Sequence, residues 1–202
     1  MIIKRIAKLV KKTGVAQLWY DGDRDVQWIS NGFGCWALFG MPLLDADNLL
    51  TALDIPDKDR EKIIVRETKA PGDIDFSDIA DNEESLPEPT VSICYGGQLL
   101  LPLQGSSGAI LADPNLFLPL DNQDLTVYAR KNESGKIYLA AKAGMLLQGI
   151  VMPKELKSMA ALPEILQKLA STLEASIAAE AEQEGASEEQ FEIDPETGEV
   201  VR

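Results

Sequence analysis

Residues 1–14 set apolar against basic positions with a helical period. At about 100° per residue, Ile2, Ile3, Ile6, Ala7, Leu9 and Val10 fill one side of a helix, and Lys4, Arg5, Lys8, Lys11 and Lys12 fill the other. Gly14 is a natural C-terminal stop. Three short strands follow, Val15–Tyr20, Val26–Ser30 and Cys35–Phe39, with turns at Asp21-Gly22-Asp23 and Asn31-Gly32. A helix is predicted over Asp45–Leu53, with Asp45 as its N-cap, Asp47 in its first turn and Pro56 ending it. Lys62–Glu67 reads as a strand. Pro71–Pro89 holds seven acids, three prolines and no base, and reads as a solvated acidic loop.

The second half resumes with strands at Val91–Tyr95, Leu99–Leu103 and Gly108–Ala112. Asp113 is placed to cap a short helix that has Pro114 at its first position. Three more strands follow, Leu125–Lys131, Lys136–Ala143 and Met145–Met152, and Pro153 closes the sheet region. Pro153–Glu184 is mostly helical, with Pro163 at a kink or in the first turn. Its Leu162, Leu166, Leu169 and Leu173 are spaced four, three and four apart, a heptad-like seam that weakens at Ser176. Packing on the parent domain and pairing with a partner both satisfy such a seam. The tail beyond residue 184 is acidic. Within it, Phe191–Val201 reads as a small hairpin turning at Asp194–Gly198, or as a flexible tail.

These elements divide the chain into residues 1–153, an α+β domain; 154–184, a helix; and 185–202, the acidic tail or hairpin. The fold class is α+β, with antiparallel sheets, helices on one face and a C-terminal helix. The length of 202 residues is enough to bury a core. The net charge of −14 argues against general coating of nucleic acid, yet it conceals an uneven distribution. Residues 1–14 carry five basic groups and no acid, whereas residues 174–202 carry ten acids and one arginine.

There is no histidine, so no Ser-His-Asp or Cys-His site exists and the commonest zinc ligand is missing. The two cysteines, Cys35 and Cys94, form no CxxC pair and lie in apolar runs, which reads as two buried thiols. Asp21-x-Asp23-x-Asp25 matches the start of a calcium loop, but Val26 stands where glycine is needed and Gly32 where a bidentate glutamate is needed. Asp73, Asp75, Asp78 and Asp81 read as a solvated charge run rather than a divalent-ion site. No lysine follows the glycine pairs as in a P-loop, and Gly105-Ser-Ser-Gly108 is a turn, not a nucleophile elbow. The expectation is a protein that is not an enzyme and has no metal, cofactor or small-molecule substrate. Trp19, Trp28 and Trp36, on successive strands, suit sheet packing better than base stacking. No span of about 18 apolar residues occurs, and the chain is expected to be cytoplasmic.

Asn48–Asp54 and Asn115–Asp121 are identical at four of seven positions, a short internal repeat at an offset of 67 residues. The two halves also share an order of helix and three antiparallel strands, the second preceded by a strand and closing in Gly149-Ile150-Val151-Met152-Pro153. In this succession the chain resembles the two βαβββ units of DNA sliding clamps, the ring-forming processivity factors of polymerases. Gln27-Trp28-Ile29-Ser30-Asn31-Gly32, Gly40-Met41-Pro42 and Leu53-Asp54-Ile55-Pro56 resemble a group of uncharacterised proteins of Gram-positive prophages and mobile elements. The clamp resemblance covers roughly residues 1–153 and departs from the pattern at the helix 45–53, the acidic loop and the C-terminal extension.

That resemblance implies a clamp-like module contacting DNA or a replication protein, with Lys4, Arg5, Lys8, Lys11 and Lys12 meeting phosphates without reading bases. It also implies a homo-oligomer, because one clamp domain does not encircle DNA. The alternative is a protein-interaction adaptor without DNA contact. It would act through Leu162, Leu166, Leu169 and Leu173 and the acidic tail.

Overall fold

The structure is a computed structural model that describes residues 2–120, 124–155, 161–187, 192–193 and 200–201, with side chains as far as residue 180. It divides into two compact units, Met1–Glu155 and Leu156–Arg202. The first holds helices α1 (Ile3–Thr13), α2 (Ala46–Ala52) and α3 (Asp57–Arg60), and a 3-10 turn at Pro114–Leu116. Its strands are β1 (Val15–Asp21), β2 (Val26–Ser30), β3 (Gly34–Ala37), β4 (Ile64–Glu67), β5 (Glu84–Leu86), β6 (Ile93–Tyr95), β7 (Gln98–Gly105), β8 (Gly108–Ala112), β9 (Leu125–Lys131), β10 (Ile137–Ala143) and β11 (Leu146–Val151). The second unit holds α4 (Ala161–Ser187) and the antiparallel pair β12 (Glu192–Ile193) and β13 (Val200–Val201). Those two strands flank the turn predicted at Asp194–Gly198, which itself lies outside the described residues.

The class is α+β, as the pattern implied. Eight strands form one sheet in the order β4-β1-β2-β3-β11-β10-β9-β5, and β6-β7-β8 form a separate small one. The large sheet is two three-stranded meanders, β1-β2-β3 and β9-β10-β11, joined where β3 pairs antiparallel with β11. The sheet is antiparallel except for β4, which runs parallel to β1. Gly14 makes that pairing available. Its left-handed conformation, φ 71°, stops α1, and its carbonyl accepts from the Ile64 amide at 2.9 Å.

Gly149 sits at the seam between the meanders, opposite Trp36. A Cβ there would lie 2.9 Å from the Cys35 carbonyl oxygen and 3.0 Å from the Leu120 side chain, so the two strands approach this closely only around glycine. Trp36 is fully buried beside it and donates its indole N–H to the Leu116 carbonyl at 2.9 Å, tying the seam to the 3-10 turn.

Alternation along the strands builds two cores, one on each face. Leu18, Ile29, Trp36, Leu139, Ala141 and Val151 face α1 and α2, with Ile6, Val10, Leu49 and Leu53 packed over them. The repeat pairs of leucine, Leu49 with Leu53 and Leu116 with Leu120, all enter this core. They are not equivalent elements, because α2 follows its meander whereas the 3-10 turn precedes β9–β11. Trp19, Trp28, Cys35, Tyr138, Ala140, Leu147 and Ile150 face the other way.

That second face corrects the reading of Pro71–Pro89 as a solvated loop. Residues 84–86 form β5, and residues 71–83 cross the sheet as a strap. Ile74 and Phe76 pack into the second core, and the Phe76 ring meets Trp19 and Trp28 edge-on at 5.5 and 5.0 Å between centroids. Three cations hold the strap, two from the sheet and one, Arg24, from the β1–β2 turn. Arg130, 0% exposed, donates to the carbonyls of Asp75 (3.1 Å), Ser77 (2.8 Å) and Asp78 (3.2 Å) and twice to the Glu83 carboxylate (3.0 and 2.6 Å). Lys142 donates to the other Glu83 oxygen, and its ammonium lies 4.4 Å from the Tyr128 ring centroid. Arg24 pairs with Asp78 and donates to the Phe76 carbonyl at 2.6 Å. Asp78 also accepts from the Leu147 amide at 2.8 Å. Two acids of this stretch, Asp78 and Glu83, are thus partners of cations from elsewhere in the fold, a pairing made across the chain rather than along it.

Burial by itself would raise the Glu83 pKa. Hydrogen bonds from Lys142 and Arg130, and the charges of both, overcome that and hold its carboxyl below the ordinary carboxylate value. A group whose pKa falls on folding stabilises the fold above its unfolded value, about 4.3 for Glu, and loses that contribution as pH drops through the folded value. Glu83→Gln is therefore expected to lower the urea midpoint at pH 7. The gap to the parent should narrow as pH falls below about 4. Arg130→Met, which leaves Glu83 partly unpaired, is expected to cost about 3–5 kcal/mol in the same titration. Gly149→Ala, which overpacks the seam, is expected to cost about 1–3 kcal/mol.

Candidate nucleic-acid interface

α1 is held as its pattern requires. Ile6 and Val10 are fully buried, Ala7 and Leu9 nearly so, and the Ile2 amide donates to the Pro119 carbonyl at 2.9 Å. Its first turn carries no acid and its last carries Lys11 and Lys12, which suit the negative end of the helix dipole. With one side in the core, the cationic side faces solvent, and all five basic residues are exposed.

The five are not equivalent. Arg5 donates to the Leu118 carbonyl at 2.7 Å and fastens the helix to the 3-10 turn region. Lys11 lies 3.5 Å from Asp59 of α3. Lys4, Lys8 and Lys12 have no ion-pair partner among the described residues. They recur every fourth residue, so they form one stripe with steps of about 6 Å along the axis.

The stripe ends at a cleft of about 520 Å³, lined by Lys12 together with Asn31, Phe33, Lys136, Met152 and Lys154 among others. Two carboxylates also line it. Asp113 accepts from the Asn115 amide at 2.9 Å and caps the 3-10 turn, and Glu155 lies 3.8 Å from Lys136. Phe33, at the β2–β3 turn, is 54% exposed, and the Lys154 ammonium stands 5.7 Å from its ring centroid. The turn is fixed from both sides. The Asn31 side chain accepts from the Phe33 and Gly34 amides at 3.1 and 2.9 Å, and the Phe33 carbonyl accepts from the Met152 amide at 2.8 Å. The Lys154 amide donates to the Leu111 carbonyl at 2.8 Å.

The sequence pattern pointed to the helix face but not to Phe33, Lys136 or Lys154. The Asn31-Gly32 turn signal placed Phe33 at a hairpin tip, whereas nothing local joined it to lysines on the far half of the chain. The tryptophans are all buried, Trp19 and Trp28 stacked in parallel with centroids 6.5 Å apart, so none is available to a base. The expectation of two buried thiols holds for Cys35 and fails for Cys94. Cys94 is exposed because its position in the short strand β6 faces outward.

Along α4, Leu162 is buried, while Leu166, Leu169 and Leu173 are exposed, as are Ile165 and Ile177. Among the described residues no three His, Cys, Asp or Glu side chains converge as metal ligands. Nor, among these residues, is any helix long and apolar enough to cross a membrane. Compared with known protein families, curated proteins and solved structures, the chain matches none.

Burial pushes the Cys35 thiol up to about 12, even though a backbone hydrogen bond from Ile150 opposes the rise. In the native protein one thiol, Cys94, is therefore expected to react with a disulfide reagent, and Cys35 only after unfolding. Tryptophan emission is expected to resist acrylamide quenching and to stay unchanged when an oligonucleotide is added.

Proposed function

We propose that the protein is a non-enzymatic, clamp-like module that contacts DNA through the outer face of α1. The observation that carries this reading is the stripe of Lys4, Lys8 and Lys12, exposed and without ion-pair partners among the described residues, on a helix whose other side is locked in the core. Ammonium groups at that spacing meet successive phosphates without reading bases, so the contact is independent of sequence and weakened by salt. The clamp part is supported by two three-stranded meanders joined edge to edge with helices on one face. The strongly negative remainder of the chain confines the attraction to this face.

The test is binding of a duplex oligonucleotide as a function of salt. Three phosphate contacts give a slope of log K against log salt of about −2.7, and each Lys→Gln change in the stripe lowers it by about 1. Charge reversal by Lys4→Glu with Lys8→Glu is expected to abolish binding. Unchanged binding, or none in the parent at low salt, overturns the proposal. Encirclement requires a closed oligomer, read as solution mass by light scattering.

The exposed stripe Ile165, Leu166, Leu169, Leu173 and Ile177 on α4 favours a second reading, an adaptor that pairs through this helix. Leu169→Lys with Leu173→Lys in the full chain is then expected to lower the solution mass. A mass unchanged from the parent counts against it.

A further inference from the structure

We infer that the cleft at the C-terminal end of α1 binds an aromatic base carrying a phosphate, the base stacked on Phe33 and the phosphate held by Lys12, Lys136 and Lys154. The inference rests on the nucleic-acid reading of α1 and gives that reading a second, different contact. Duplex DNA meets the helix face through phosphates alone, whereas the cleft takes an unpaired nucleotide.

Four observations converge. The volume, about 520 Å³, is that of a small-molecule site. Phe33 presents more than half of its surface to solvent on a turn that cannot fold it inward, because Asn31 and Met152 fix the backbone on either side of the ring. An exposed aromatic ring carried on a fixed backbone is a stacking platform that accepts any base.

Three ammonium groups line the same cleft against two carboxylates, Glu155, which lies 3.8 Å from Lys136, and Asp113, which caps the 3-10 turn, so the lining carries a net positive charge. The Lys154 ammonium stands over the Phe33 ring, 5.7 Å from its centroid, so a base stacking on that ring displaces it towards the nucleotide's own phosphate. Finally, Asn31 is 2% exposed and spends its side-chain oxygen on the turn, and its Nδ2 has no acceptor among the described residues. An unengaged amide donor on a residue that lines the cleft suits a carbonyl or ring nitrogen on a base edge. Lys12 belongs both to the stripe and to the cleft, so a strand tracking α1 by its phosphates is led to Phe33.

The test uses the full-length protein and three probes by fluorescence anisotropy. These are a labelled oligothymidylate of about 12 nucleotides, a duplex of equal length, and thymidine monophosphate as competitor. The single strand is expected to bind more tightly than the duplex. Phe33→Leu, which keeps an apolar side chain but removes the ring, is expected to weaken single-strand binding about tenfold and leave duplex binding unchanged. Because Phe33 is exposed, the variant is expected to retain the parent melting temperature.

Competition by the monophosphate, lost in Phe33→Leu, assigns the site to free nucleotides. Single-strand binding that depends on Phe33 without such competition assigns it to strands. Equal affinity of Phe33→Leu and parent for the single strand overturns the inference. If Lys4→Glu with Lys8→Glu still abolishes duplex binding in that case, the reading of α1 stands without the cleft. No binding of oligothymidylate or monophosphate by the parent also overturns it.

Discussion

Arg130 carries its charge where no water reaches it, and one face of the sheet depends on how that charge is satisfied. A guanidinium has five N–H donors and no acceptor, so in a dry site it needs oxygens arranged around it. Here three strap carbonyls and the Glu83 carboxylate supply them. The strap in turn has no helix or strand of its own before β5, and its backbone is held from outside by these donors. Cation and strap are mutually dependent, which explains why a segment so rich in acids and turns keeps one course across the sheet.

The strap's course then determines what it covers. Ile74 and Phe76 fall over Trp19 and Trp28, completing a second core on the side of the sheet opposite α1 and α2. The order is partly costly, since the indole N–H groups of Trp19 and Trp28 are buried without an acceptor among the described residues. Each such group forfeits about 1–3 kcal/mol, which the aromatic packing has to offset. With one face covered by α1 and α2 and the other by the strap, the central strands are buried on both sides, while the outer side of α1 and the hairpin tip at Phe33 remain at the surface.

Those surfaces are separated in the chain and adjacent in space. α1 is anchored through Ile2, Arg5 and Gly14 to the 3-10 turn region and to β4. The β2–β3 turn is anchored through Phe33 to the residue after β11. The anchors at Ile2, Arg5 and Phe33 cross between the halves, so the rigidity of the candidate site depends on the seam between β3 and β11, where Gly149 lets the strands approach.

Much of this was legible in the residues. The period of α1, its stop at Gly14, the caps at Asp45 and Asp113 and the two meanders are local properties, set by side-chain spacing, turn chemistry and hydrogen bonds within a few residues. So were the exposed lysines, because the apolar side of an amphipathic helix dictates where the other side points. Composition misled where charge balance is long-range. Asp78 and Glu83 look solvated beside their acidic neighbours and are held by Arg24, Arg130 and Lys142, which lie far from them in the chain. The meeting of Lys12 with Lys136, Lys154 and Phe33 was equally invisible, since no local pattern marks residues that share a cleft. The sequence by itself determined the elements and which sides of them are apolar, because those follow from interactions within a few residues. Which charges are paired, which face is covered and which residues line one cleft were decided only by the tertiary structure, because those depend on the register of strands joined far apart in the chain.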